Sequence, residues 1–356
     1  MNLLVISNMY PSVKDPVYGT FVQSFVDNIS LLNKKDITEI VVIKGRDGHK
    51  VHKIWKYIKF YVTIIFRLLF NKYDIIYVHT ITYPIIPIRI VSYFKDLPLV
   101  FNVHGGDVLT RGNMAAKLKD FSKPLLKRSK LIVSPSHYFK DILLRDFPFL
   151  QEEKIYVSPS GGIDNSFFKH KPKGENEVLT IGYVSRIDEA KGWDTFLCAL
   201  RMLLDKNKKF RAIIAGRGAQ SNEMINMINA LSLNDCVEYV GPIPYRNLPD
   251  LYSSLDLFVF PTCLEESLGL VGLEAMACGV PVIGSRIGGL QDYIIEGFNG
   301  YYFTPGDACD LSNKIKDYIK LEETKIDELQ NNAINTAWQY KADVINMNLY
   351  KKIDTL

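Results

Sequence analysis

Two carboxylates eight residues apart, Glu266 and Glu274, lie in the stretch PTCLEESLGLVGLEAMACGVPVI, from Pro261 to Ile283. The run LDLFVF ahead of them predicts a strand, and LGLVGLEAMACG predicts a helix that opens near Gly269 and closes at Gly279. Glu266 then falls in the strand-to-helix loop and Glu274 inside the helix. A carboxylate among Leu270, Leu273, Met276 and Ala277 is costly to place unless a polar ligand or a buried donor meets it. The helix start at Ser267 to Leu270 offers backbone N–H groups and the positive end of the dipole, and Gly269 permits close approach, which suits a diphosphate. Spacing alone also allows a solvated loop carboxylate at Glu266 and a buried ion-pair member at Glu274.

A second constellation, GYVSRIDEAKGWDTF, places Arg186 after a predicted strand and Lys191 five residues later, just before the next helix. Two cations at a strand's carboxyl end can neutralise a diphosphate, each charge-assisted hydrogen bond contributing roughly 1.5 to 3 kcal/mol. In isolation an Arg and a Lys in a loop are usually solvated. VFNVHGGDV sets His104 and Asp107 just after another strand, where a histidine can be structural or chemical. No D-x-D pair follows a strand, so no metal is expected and cations with a helix terminus would take its place. No G-x-G-x-x-G follows the first strand, which argues against a dinucleotide oxidoreductase.

The elements that must position these groups alternate along the chain. NLLVIS, EIVVI, DIIYVH, PLVFNV, KLIVS and KIYVS are candidate strands separated by helical patterns. After the polar stretch KHKPKGENE the alternation restarts with VLTIGYVS, FRAIIAG, CVEYVG, LDLFVFP and VPVIGS. Runs that are apolar throughout suit parallel strands covered on both faces. The expectation is an α/β chain of two doubly wound domains: 1–168, a linker at 169–177, 178–336, and a C-terminal helix over 337–356 that packs back on the first domain. Ligands of such sheets bind beyond the carboxyl ends of the strands, so the cleft between the domains is the expected site.

With 47% apolar and 23% charged residues, the 356-residue chain sits near the globular average. The five cysteines contain no CxxC pair, and the start MNLLVIS has no basic n-region, so a reducing, cytoplasmic setting is expected. Up to residue 168 there are 23 basic against 14 acidic side chains, and 20 against 25 afterwards, which points to different partners for the two halves. KIWKYIKFYVTIIFRLLF, from Lys53 to Phe70, is too interrupted by cations to span a bilayer. It reads either as a core-packing helix with a basic wet face or as a basic amphipathic surface on anionic membrane.

Taken together, SRIDEAKG, VGPIPYRNLPDLYSSLDLFVFPT, EESLGLVGLE and EAMACGVPVI resemble the group 1, or family 4, retaining glycosyltransferases with the GT-B fold, in order and spacing over nearly the whole chain. Glu266 and Glu274 match that family's E-x7-E signature. The resemblance implies that Arg186 and Lys191 hold the donor diphosphate, that Glu266 contacts the transferred sugar and that Glu274 binds the nucleotide ribose. Amides near Ser267, Gly269 and Leu270 would complete the phosphate cradle. It also brings Gly19 against the donor phosphates, although Tyr18 replaces the first glycine of the common pair, and makes His104 an active-site residue near the sugar with Asp107 supporting its loop.

The implied reaction moves a sugar from a UDP- or GDP-type donor to a saccharide or polyprenyl-linked acceptor in surface polysaccharide synthesis. No cofactor, no metal and no nucleic-acid partner is expected. A sugar-nucleotide epimerase or other GT-B enzyme, and a non-catalytic nucleotide-sugar-binding subunit, are the alternatives. The basic first half suggests an anionic membrane surface as a further partner, met from the cytoplasmic side.

Overall fold

The computed structural model describes residues 1–16, 18–33, 38–46, 48–110, 112–164, 166–170, 178–204 and 209–356. The chain divides into two compact units, Met1–Gly161 with Asp343–Leu356, and Gly162–Ala342. Each holds a six-stranded, all-parallel sheet.

The first unit contains β1 (Leu3–Tyr10), β2 (Thr38–Lys44), β3 (Ile75–His79), β4 (Leu99–Asn102), β5 (Leu131–Ser134) and β6 (Ile155–Val157), in the order β2-β1-β3-β4-β5-β6. Leu3 through Ile6 are fully buried, as a strand covered on both faces requires. One face packs Ile64 and Leu68 of the helix Lys50–Phe70 against Leu4, Ile6 and Val78. The other receives Leu349 and Ile353 of the C-terminal helix Ala342–Asp354, which join Leu3, Val5 and Tyr77 in one core. The strand order reverses between β1 and β3. In doubly wound sheets that reversal opens a crevice at the carboxyl ends of the flanking strands.

The second unit contains β7 (Leu179–Val184), β8 (Phe210–Ala215), β9 (Val237–Gly241), β10 (Leu257–Phe260), β11 (Val282–Ser285) and β12 (Gly300–Phe303), in the order β12-β11-β10-β7-β8-β9. Its reversal falls between β7 and β10. The two sequence constellations leave the sheet from the ends of those two strands.

Three details differ from the sequence expectation. The strand β12, with sequence GYYF, was not foreseen: four residues that begin on the glycine of an Asn-Gly pair give too short a run to stand out. Ile163 and Phe168, placed by composition at the end of the first domain, are buried in the second unit's core, because the polar stretch that suggested the boundary comes after them. At the other end, Trp338 closes the helix Glu323–Trp338 and the last helix starts at Ala342, so residue 337 opens no new element. Most of the expected linker, residues 171–177, lies outside the described residues. Among the described residues no helix is long and apolar enough to cross a membrane.

Candidate active site

In the second unit the loop after β7 and the loop after β10 are locked together. The carbonyl of Ala190 accepts a hydrogen bond from the Cys263 N–H at 2.8 Å, and the Tyr183 hydroxyl donates to the Lys191 carbonyl at 3.3 Å. Gly192 has φ of 75°, and a Cβ there would collide with the Pro261 carbonyl. Only glycine fits both the backbone conformation and the contact. Gly192→Ala is therefore expected to destabilise the protein by about 2 to 4 kcal/mol, in the range of strained-backbone substitutions. A thermal melt checks this, and an unchanged melting temperature would show that the loops are not coupled there.

This coupling brings Lys191 Nζ to 2.6 Å from Glu266 Oε1. The Thr262 hydroxyl donates to the same oxygen at 3.0 Å. The Glu266 carbonyl accepts from the Gly289 N–H at 2.8 Å, and a Cβ on Gly288 would crowd the Glu266 nitrogen. The Gly-Gly turn after β11 thus supports the Glu266 backbone. Arg186 pairs with Asp188, whose other carboxylate oxygen accepts from the Ala219 N–H at 2.8 Å. The two cations differ in setting, with the Arg186 side chain 71% exposed and that of Lys191 12%. Lys191 acts where water screens least.

The helix Leu270–Ala277 starts on Gly269 with φ of 83°, where a Cβ would press on Phe260. This left-handed residue joins the loop that carries Glu266 and Ser267 to the first turn of the helix. The Gly269 carbonyl accepts from the Tyr293 hydroxyl at 3.0 Å. Within the helix Glu274 is buried, 5% exposed, and the fully buried Tyr252 donates its hydroxyl to Glu274 Oε2 at 3.1 Å. Burial pushes the Glu274 carboxyl up to about 7, with the Tyr252 hydrogen bond pulling the other way.

In the first unit, His104 and Asp107 follow β4. Asp107 is buried and accepts from the His104 N–H at 2.6 Å and the Ile81 N–H at 2.8 Å, so it ties the turns after β3 and β4 together. Burial raises its carboxyl to about 7 against those backbone donors. His104 Nε2 is 3.3 Å from Nδ1 of the buried His79, and Phe21 packs on the His104 ring with centroids 4.5 Å apart. Burial lowers His104 to about 4 and His79 further below its ordinary value, so near neutral pH both rings are uncharged and one can donate to the other. Gly19, with φ of 75°, caps the helix Thr20–Leu32, and a Cβ there would strike the Met9–Tyr10 peptide. Its conformation and close packing require glycine without reference to any ligand.

The second unit thus gathers Arg186, Lys191, Glu266, Ser267, Gly269, Leu270 and Glu274 on two linked loops and one helix, while Gly19, His104 and Asp107 lie at the carboxyl edge of the first sheet. Sequence reasoning missed Thr262, Tyr252, Gly288, Gly289 and His79. Gly-Gly after β11 and the histidine ending β3 were visible signals, but the partners of Glu266 and Glu274 follow from packing alone.

The group 1 glycosyl transferase family matches residues 163–339 and glycosyltransferase family 4 matches residues 25–164. The D-inositol 3-phosphate glycosyltransferase of Corynebacterium jeikeium is 30% identical over 49% of this chain and 43% of its own length. The 2-deoxystreptamine N-acetyl-D-glucosaminyltransferase of Niallia circulans is 25% identical over 68% of this chain and 66% of its own length. The chain thus spans about half to two thirds of these relatives. Among solved structures, Anabaena HepE in complex with UDP superposes with a TM-score of 0.79 at 21% identity, covering all of both chains. Two matched halves that together run from residue 25 to 339, on two parallel sheets of this topology, place the chain in the group 1 and family 4 glycosyltransferases of GT-B fold.

Proposed function

We propose that the chain is a retaining, metal-independent glycosyltransferase that takes a sugar from a nucleotide diphosphate donor of the UDP or GDP type. The observation that carries this reading is the Lys191–Glu266 pair at the reversal point of the second sheet, with Arg186 and the helix start at Gly269 on the same pair of loops. As the donor bond breaks, negative charge grows on the distal phosphate, and fixed cations and backbone N–H groups favour that state over the ground state. Lys191 and Arg186 are each paired with a carboxylate on these loops, and donor phosphate would take that partner's place. Glu266 then exchanges Lys191 for hydroxyls of the transferred sugar, and Glu274 meets the ribose. The acceptor attacks on the face that the leaving group departs, its proton passing to the phosphate, so configuration is retained.

Support for the donor class comes from the Anabaena structures with UDP and with UDP-glucose, and for transfer from the curated relatives. For the acceptor we favour a saccharide or lipid-linked saccharide of surface polysaccharide synthesis, presented at the cytoplasmic face of a membrane. The first unit's basic charge supports this, as does likeness in fold to the lipopolysaccharide outer core galactosyltransferase WaaB, at 15% identity and a TM-score of 0.75.

The test is a panel of UDP- and GDP-sugars, with release of nucleoside diphosphate measured with and without extracted lipid-linked saccharides. Release is expected to persist in excess chelator, since cationic side chains fill the role of a metal. Loss with chelator and recovery with manganese or magnesium would refute the metal-free reading. Release of an epimerised sugar nucleotide without transfer would favour an epimerase instead.

A further inference from the structure

The helix Lys50–Phe70 has three faces rather than two. Phe60, Ile64 and Leu68 are buried against the first sheet. Opposite them, Val51, Trp55, Ile58, Val62, Phe66 and Leu69 are all exposed, between 43% and 66%. At 3.6 residues per turn these six fall within roughly 80° of arc, so they form one continuous stripe along the helix. An apolar stripe of this length left in water marks a contact surface. A third face carries His52, Lys56, Lys59 and Arg67, with Lys50 and Lys53 at the N-terminal end, and the helix has no acidic side chain. Beside it the helix Ile85–Val91 leads into Tyr93 and Phe94, exposed by 70% and 81%.

We propose that this stripe seats the first unit on an anionic bilayer, with the helix lying in the plane of the interface, its aromatic and aliphatic side chains below the headgroups and its lysines among the lipid phosphates. Charge decides between a bilayer and a second copy of the chain. A two-fold contact through this stripe would bring a second set of cations and no acid from the helix to meet Lys59, which borders the stripe. Anionic headgroups supply the missing charge, while the stripe supplies the apolar contact. The helix lies on the surface because it is not apolar enough to cross. The inference deepens the acceptor reading above and rests on it for what the surface would serve.

Flotation of the full chain with phosphatidylglycerol–phosphatidylcholine vesicles and with phosphatidylcholine vesicles tests the proposal. Binding is expected on the anionic vesicles only, to be weakened by salt, and to fall about tenfold or more in a Trp55→Ser/Val62→Ser/Phe66→Ser variant whose charge is unchanged. The three side chains are solvent-exposed, so folding should survive; a thermal melt and UDP binding by the second unit verify this independently. If the triple variant bound anionic vesicles as well as the parent, adsorption would be electrostatic alone and the stripe would have no role. Absence of binding to either vesicle, or a dimer in size-exclusion chromatography that the same variant dissociates, would likewise overturn the proposal. UDP binding reads out separately, so failure here is distinguishable from failure of the transferase reading.

Discussion

Replacing Lys191 by alanine is expected to lower kcat/KM for donor turnover by about 100- to 1,000-fold, the effect of removing one preorganised donor from a developing anion. The Lys191 side chain is 12% exposed and its ammonium is held 2.6 Å from Glu266, so its charge acts in a poorly screened setting. Arg186, 71% exposed at the side chain, is expected to cost about tenfold or less on the same change, since water and salt screen it. Steady-state release of nucleoside diphosphate measures both. Lys191→Ala also leaves Glu266 without its cation, so the change could act through Glu266 rather than through phosphate. Comparing the effect of Lys191→Ala in the parent and in a Glu266→Ala background separates these: a cost that disappears once Glu266 is gone belongs to the unpaired carboxylate, whereas a cost of similar size in both backgrounds belongs to the phosphate site. A larger loss at Arg186 than at Lys191 would refute the ranking.

The fold and the site were legible in the sequence to different degrees. Strands such as LLVIS and AIIA are buried on both faces, so their apolar runs announced parallel sheets directly, and the loops after them could be named before any coordinates. The helix over Leu270–Ala277 was legible because glycines bracket it, and both adopt positive φ. The carboxylate partners were not legible. Tyr252 lies 22 residues before Glu274 and reaches it only because the helix Leu248–Ser253 packs beside Leu270–Ala277, a tertiary fact with no local signature. His79 was hidden for another reason. As the last residue of an apolar strand it reads as a core residue, and only the strand order that sets β3 beside β4 brings it to His104. The helix Lys50–Phe70 was ambiguous because periodicity shows that apolar residues are plentiful but not which of two apolar faces the sheet covers.

Glu274→Gln is expected to raise stability while weakening nucleotide binding, two opposite effects from one atom change. Burial disfavours the charged form of the Glu274 carboxyl and pushes it up to about 7 in the folded protein, from the ordinary value of 4.5. A raised carboxyl pKa means that the folded state holds its proton where the unfolded chain has released it. Stability is therefore fully present below the unfolded value, falls as pH rises from about 4.5 to about 7, and levels off above; the total is roughly 3 kcal/mol for a shift of this size. Glutamine cannot ionise and can still accept from the Tyr252 hydroxyl, so the variant should melt higher than the parent at pH 8 and match it near pH 4.5. Binding runs the other way. If the ionised carboxylate accepts ribose hydroxyls, UDP affinity in the parent should weaken as pH falls below about 7, because protonation removes an acceptor site. The Gln variant should bind several-fold to tenfold more weakly at pH 8, with the Glu274 contribution to the pH dependence gone, the range expected when a hydrogen bond to a charged acceptor becomes one to a neutral amide oxygen. Calorimetric titration with UDP between pH 5.5 and 8.5 measures it. Unchanged affinity in a folded Glu274→Gln protein across that range would remove Glu274 from the nucleotide site and leave it as a buried partner of Tyr252 alone.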